Sequence, residues 1–344
     1  MSSMLSPPSV GEHLLVTVPA PHVLMLTLNR PKQLNSMTKD LELDLGRVLD
    51  WFEDEPALWV GIITGRGRAF CAGQDLKSWQ DEAAARRRLA SSSSEQEQYA
   101  QLADGTRVPL QPLSESQISV DRLRKGGFGS ISSRRSSKPI IAAIDGICMG
   151  GGMEVLLNCD LAVATDRSRF ALPEVSRGVI AAQGGIARVA KVSGHHRASE
   201  LLLTGSAVSA AELYSKYQLL NSVVHLPPSA SLEAGQVAVE RAAVALAARL
   251  CENSPDALLV TKEALNAARD YPGPTGANAV LINGQKRQGN LEDLAVEAYT
   301  TTRARALYVG ENINEGLTAF REKRAPRWRD PVQFQRQERN AGKL

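Results

Sequence analysis

Cysteine is scarce: the 344 residues hold four, Cys71, Cys148, Cys159 and Cys251, far apart and without a CxxC pair. No secretory signal opens the chain, so free thiols in a reducing compartment are expected rather than a disulfide framework. Charge of one sign is also lacking. Forty Lys and Arg face 37 Asp and Glu, a net charge of +3, which excludes the broad basic face of a dedicated nucleic-acid binder and confines any cationic surface to a local patch. Uninterrupted apolar runs fall short of the roughly 20 residues that span a bilayer, so no membrane span is expected and the chain reads as soluble. The GxxxxGK[ST] phosphate loop and the strand-following GxGxxG fingerprint are missing, which weakens a nucleotide-phosphate cradle as the purpose of the glycines. What the chain does have, 43% hydrophobic and 22% charged residues, suffices for a large buried core.

The ends carry little information. Met1 to Val10 is rich in Ser and Pro with neither acids nor bases, unlike an Arg-rich transit peptide, and reads as a flexible lead-in. The closing Lys343-Leu344 approaches the Ser-Lys-Leu peroxisomal address without completing it. A cytoplasmic or peroxisomal location is expected, with a mitochondrial one left open.

Short branched runs at Val23 to Asn29 and Leu58 to Thr64 bracket Leu41, Leu45, Val48, Leu49 and Phe52 at helical spacing, which predicts strand, helix, strand. Similar runs at Ile140 to Ile144 and Leu161 to Ala164 enclose a glycine turn and a helical stretch from Gly151, so the unit repeats and an α/β fold follows. Gln80 to Lys138 intervenes, with Arg86 to Arg88, Ser91 to Ser94 and two prolines; so long a connection reads as a lid or as disorder through its middle. Beyond Gly205 the pattern turns helical. Ser209-Ala-Ala-Glu212 is a capping box that fixes a helix start, and Val237 to Arg249, Asp256 to Ala268, Asn290 to Tyr308 and Glu315 to Lys323 continue the helical period. Tyr271 to Gly276, with two prolines, is a loop.

Two glycine turns follow strands: Phe70-Cys-Ala-Gly-Gln-Asp75 and Gly150-Gly-Gly-Met-Glu154. Glycine lets backbone approach a ligand, and the first amides of a helix have no partner inside it. Two such amides can bind an oxyanion, a role worth roughly 3 to 4 kcal/mol per donor in transition-state stabilisation, and the dipole of a helix starting at Gly151 adds to it. The bland alternative is two tight turns. Glu154 lies one helical turn past Gly151, and Glu174 follows Pro173; each sits in an apolar run, where carboxyls are more readily neutral and a pair can divide acid and base roles. A structural role for either acid remains equally open on these residues alone. His195-His196 reads as a surface pair without a third metal ligand, Cys71 as small-residue packing, Asp160 as a backbone or side-chain holder, and Asp75 as a brace for its loop.

Gly65 to Leu76 (GRGRAFCAGQDL), Lys138 to Ala164 (KPIIAAIDGICMGGGMEVLLNCDLAVA) and Arg169 to Gly185 (RFALPEVSRGVIAAQGG) resemble the signature segments of the crotonase, or enoyl-CoA hydratase/isomerase, superfamily. Glu315 to Trp328 is similar to that family's closing helix, so the resemblance runs from about Val16 to Asp330, apart from inserts near 80 to 130 and 272 to 288. It implies a spiral of ββα units over 10–225, with the insert at about 80–135, and a helical oligomerisation region over 226–344, assembling as a homotrimer or homohexamer. It also implies an acyl-CoA substrate, catalytic Glu154 and Glu174, an oxyanion hole from the amides of Gln74 and Gly151, and coenzyme A contacts from Arg68, Ala72, Lys77, Phe320 and Lys323. The implied reaction is reversible addition of water to a 2-enoyl-CoA, fatty acid chemistry in which coenzyme A belongs to the substrate and no metal or redox cofactor is needed. A double-bond isomerase and a non-catalytic module binding RNA or protein through the basic tail, +5 over Arg321 to Leu344, are the alternatives.

The chain departs from the family pattern in places. Gln74 stands where many relatives have Ala or Gly, and Ala181-Ala182 replaces Pro-Gly. Gln218 occupies a helix-ending position that favours glycine, where a left-handed backbone would be strained.

Overall fold

The structure is a computed structural model that describes residues 6–75, 99–101, 107–109, 126–270, 280–282, 285–287 and 301–331. Its main sheet arises from the branched runs. β1 (Leu14–Ala20) pairs antiparallel with β2 (Val23–Leu28); α1 (Lys39–Asp54) then crosses to β3 (Val60–Gly65), which lies parallel to β2. Thr38 caps α1 by accepting from the Leu41 amide, and the helix buries Leu41, Leu45, Val48, Leu49 and Phe52 at the expected spacing. β4 (Ala69–Cys71) starts a second, smaller sheet. Two short antiparallel pairs, β5 (Tyr99–Gln101) with β6 (Arg107–Pro109) and β13 (Val280–Ile282) with β14 (Gln285–Arg287), each form a two-stranded sheet of their own.

β7 (Ile140–Ile144) returns to the main sheet, β8 (Ile147–Met149) joins β4, and α2 (Gly151–Asn158) leads to β9 (Leu161–Thr165) and then β10 (Arg169–Ala171). α3 (Gly185–Ser193), α4 (His195–Thr204), β11 (Val208–Ser209), α5 (Ala210–Ser215) and β12 (Ser222–Val224) complete the two sheets. The main sheet runs β1-β2-β3-β7-β9-β12 and the smaller one β11-β10-β8-β4. This strand order is that of an α/β spiral of strand–helix units, as expected from the sequence. Strands of two or three residues carry almost no periodic signal, so the small sheet is invisible to pattern reading.

Both faces of the main sheet are buried, and the strand period of two divides them. Leu24, Leu26, Ile140, Ala142 and Ile144 face one core with α1 and α2; Val23, Met25, Ile141 and Ala143 face another. The second core is closed by α6 (Leu232–Cys251), whose Val239, Ala243 and Ala247 recur every fourth residue. Strands buried on both sides need continuous apolar runs, as these sequences show. α7 (Pro255–Asp270), α8 (Thr302–Val309) and α9 (Glu311–Glu322) follow. Among the described residues, no helix is long and apolar enough to cross a membrane.

Local expectations have clear outcomes. Ser209 and Glu212 form the reciprocal capping box of α5, and Gln218 does adopt a left-handed φ of 57°. The end of the long connection is neither lid nor disorder: Phe128 and Ile131 are buried in the main core, because their side chains fill the space between α1 and α2. The middle of that connection, Tyr271 to Gly276 and residues 290–300 lie outside the described residues.

Candidate active site

β4 and β8 are parallel neighbours with Cys71 opposite Cys148, so the turns leaving their C-terminal ends emerge side by side. Each turn is set by backbone that glycine permits. Gly73 has φ 99° and Gly150 φ 55°, and a Cβ on Gly73 would stand 3.1 Å from the Met149 carbonyl oxygen and 3.5 Å from the Gly151 nitrogen. The two glycine segments therefore touch.

The direction of each key amide follows from the carbonyl in the same peptide plane, because a trans peptide sets C=O and N–H antiparallel. The Gly73 carbonyl accepts from the Met37 amide at 2.9 Å, which turns the Gln74 N–H away from Met37. The Gly150 carbonyl accepts from the Glu154 amide at 3.0 Å, which turns the Gly151 N–H out of the start of α2. At the first helical position that amide has no intrahelical acceptor.

Glu154 sits in the first turn of α2 and is only 3% exposed. Its Oε1 accepts from the amides of Gln183 (2.8 Å) and Gly185 (3.0 Å). Burial pushes its carboxyl up to about 7, with a further push from the charge of Glu174, against the pull of those two amides and Arg188. Glu174 is held by the 3-10 helix Pro173–Arg177, begun by Pro173. Its Oε1 comes within 3.3 Å of where a Gly150 Cβ would be, and its buried Oε2 has no hydrogen-bond partner. Burial raises this carboxyl too, opposed by its own amide and Arg177. The structure thus brings Gln74, Gly151, Glu154 and Glu174 into one locality. Beside Glu174 opens a cavity of about 340 Å³, walled by Leu172, Val179, Ala181, Ile186 and Leu202 among others.

Two adjacent backbone turns and two carboxyls of raised pKa, Glu154 buried and Glu174 half-buried, suit chemistry in which a carbonyl oxygen gains charge while protons move nearby. The enoyl-CoA hydratase/isomerase family model matches residues 20–109 and 131–331. The chain belongs to that family. It is 36% identical to a mevalonyl-coenzyme A hydratase of Beauveria bassiana across 96% of this chain and 99% of that protein. It is also 36% identical to the mevalonyl-coenzyme A hydratase of Aspergillus fumigatus across 92% and 94%. The crystal structure of an enoyl-CoA hydratase from Mycobacterium tuberculosis superposes with a TM-score of 0.68 at 26% identity, covering 93% of this chain and all of that one.

The remaining sequence candidates are more dispersed. Arg68 is exposed on the β3–β4 connection, Ala72 is half-buried in the first glycine turn, and Phe320, 87% exposed, and Lys323 lie at the end of α9. Among the described residues no hydrogen bond or ion pair joins Arg68, Phe320 and Lys323. Lys77 lies outside the described residues. Cys71 is 1% exposed with its thiol pushed up to about 12 by burial, so it packs rather than attacks. Asp160 accepts from the Ile140 amide and pairs with Lys262. His195 and His196 are both exposed, their rings edge-on at 5.7 Å.

Sequence reasoning missed the loop that carries the first turn. The Ala72 amide donates to Leu34, Met37 to Gly73 and Asp75 back to Met37, so residues 34–37 frame Gln74 as a short strand would. Leu34 and Asn35 both have left-handed backbones, φ 52° and 54°. An Asn just after Arg30-Pro31, in a stretch without glycine, was the available sign, since Asn tolerates that conformation.

Proposed function

We propose that the chain adds water reversibly to a 2-enoyl-CoA thioester, with a short branched acyl group of the mevalonyl kind as substrate. The observation that carries the reading is the meeting of both glycine turns with the carboxyls of Glu154 and Glu174. In this mechanism the amides of Gln74 and Gly151 hold the thioester oxygen as negative charge builds on it. Glu154, ionised, takes a proton from water as the water oxygen bonds to the β-carbon. Glu174, protonated, gives its proton to the α-carbon, so one water is added and the pair still shares one proton. Burial raises both carboxyls, Glu154 to about 7, which favours a proton shared between the pair over two full charges.

Two relatives with matching length, both named mevalonyl-coenzyme A hydratases, support the acyl class. Mevalonyl-CoA is a 3-hydroxyacyl thioester, so the same residues run backwards would remove its β-hydroxyl as water. The apolar cavity beside Glu174 supports a branched carbon skeleton.

The test is incubation of the purified protein with mevalonyl-CoA, its dehydrated 2-enoyl product, and straight-chain, long and aromatic 2-enoyl-CoA thioesters in oxygen-18 water, followed by mass spectrometry. Labelled 3-hydroxyacyl-CoA, formed fastest from the mevalonyl pair, is expected. An unlabelled positional isomer would replace hydration with double-bond migration, and turnover confined to straight-chain substrates would overturn the acyl class alone.

A further inference from the structure

Arg30, Ser36 and Asp75 form a clasp that nothing in the catalytic reading uses. Arg30 ends the stretch after β2, and its side chain is 11% exposed. Its Nη1 donates to the Ser36 carbonyl and Oγ, and both Nη atoms approach Asp75 Oδ2 at 3.4 Å. The Ser36 hydroxyl donates to the same Asp75 oxygen at 3.3 Å. Asn35, fully buried, locks the base of this loop: its Oδ1 accepts from the Arg30 amide (2.7 Å) and its Nδ2 donates to the carbonyls of Arg66 (3.0 Å) and Ala69 (2.7 Å). The Arg30 Nε is buried without an acceptor, so the guanidinium is oriented towards Ser36 and Asp75 at the expense of one of its own donors.

Asp75 directly follows Gln74. The backbone on each side of Gln74 is tied to one residue, Met37, through Gly73 C=O and Asp75 N–H, and Met37 directly follows Ser36. The clasp thus joins the two strands of this frame by their side chains, immediately beside the Gln74 peptide. We propose that Arg30, Ser36 and Asp75 are positioning residues for the reaction, holding the Gln74 N–H at the angle at which it donates to the thioester oxygen. The inference rests on the oxyanion role of Gln74 given above. A donor misdirected by a few tenths of an ångström still lets the coenzyme A portion bind but donates poorly to the developing charge, so the effect falls on kcat rather than KM.

Asp75→Asn, Arg30→Lys and Ser36→Ala test it. Infrared difference spectra of bound [1-13C]butyryl-CoA, a saturated thioester that cannot be hydrated, read the hydrogen bond on the carbonyl directly. The wild-type protein is expected to lower the C=O stretching frequency. Asp75→Asn and Arg30→Lys are expected to move it back towards that of the free thioester, with kcat for the substrate found in labelled water down ten- to a hundredfold, KM within threefold and the melting temperature close to wild type. Ser36→Ala, which removes a single hydroxyl, should shift both in the same direction by less and serves if either charge variant fails to fold. Lowered frequency and kcat within twofold of wild type in the folded variants overturn the clasp alone. An unshifted carbonyl in the wild type overturns the oxyanion role of Gln74 and the clasp with it.

Discussion

Replacing Glu154 by Gln is expected to make the protein more stable and nearly inactive. In the folded chain the carboxyl titrates at about 7, against an ordinary value of 4.5. Between those two values the native state holds a proton that the unfolded chain has released, so stability falls as pH rises through the window and is flat above it. The difference corresponds to about 3 kcal/mol by the free energy per pKa unit. Glu154 is 3% exposed, so solvent does little to screen this cost. A Gln side chain keeps an oxygen for the Gln183 and Gly185 amides, which Glu154 now serves, and has no charge to bury. Urea unfolding followed by circular dichroism should place Glu154→Gln roughly 2 to 3 kcal/mol above wild type at pH 8, with the gap shrinking to about 1 kcal/mol or less at pH 5. Hydration by the variant should drop at least a hundredfold, as expected on loss of a positioned general base. A gap that stays constant from pH 5 to pH 8, or a variant less stable than wild type at pH 8, would refute the reasoning, since it would mean that the cost of the buried charge is not what raises the carboxyl.

Gly152→Ala should be severe for a different reason. Its Cβ would lie 2.3 Å from the Cys71 carbonyl oxygen and 2.8 Å from the Cys71 Cβ, and the main chain of β4, paired with β8 and buried, cannot yield cheaply. A loss of about 3 kcal/mol is expected, read from the urea midpoint, together with lower activity as α2 and the Gly151 amide move; an unchanged midpoint would show that α2 does not pack on β4 this closely. Lys138→Met should destabilise by about 2 kcal/mol at pH 7, because the buried ammonium donates to the Phe52 and Glu55 carbonyls at the C-terminal end of α1 and both would lose a donor. Burial lowers this lysine to about 8, below the unfolded value, so the wild type should gain on the variant as pH rises from 8 to 10; thermal melts across that range check the sign.

How far the sequence reveals the fold depends on how each contact is encoded. β2, β3, β7 and β9 are readable because two-sided burial demands continuous branched runs, and α1 because one buried stripe demands a helical period. The cap of α5 is readable because all of its partners fall within four residues. Glu154 and Glu174 stand out as acids inside apolar runs, and burial does raise both. Other features depend on distant pairings. Arg30 meets Asp75 across 45 residues and Ser36 meets it across 39, so no local spacing announces the clasp. The small sheet depends on β4, β8 and β10 being brought edge to edge by the larger one. Phe128 is legible as apolar but not as the ring against Gly151, where an added Cβ would meet it at 2.6 Å.

The carboxyl of Glu154, pushed up to about 7, answers to opposing influences from different parts of the fold. Burial in the core around Met153, Val155 and Leu156 and the charge of Glu174 favour the acid, while the amides of Gly185 and Gln183 and the charge of Arg188 favour the carboxylate. The loop 181–185, which includes Ala181-Ala182, supplies the amides. The two donors sit at 2.8 and 3.0 Å, in a loop anchored by α3, which begins at Gly185, and by the packing of Ala181 in the core. The proton affinity of Glu154 is thus influenced by a segment some thirty residues away in sequence, and substitutions there should move the pH dependence of the proposed hydration without touching either glutamate.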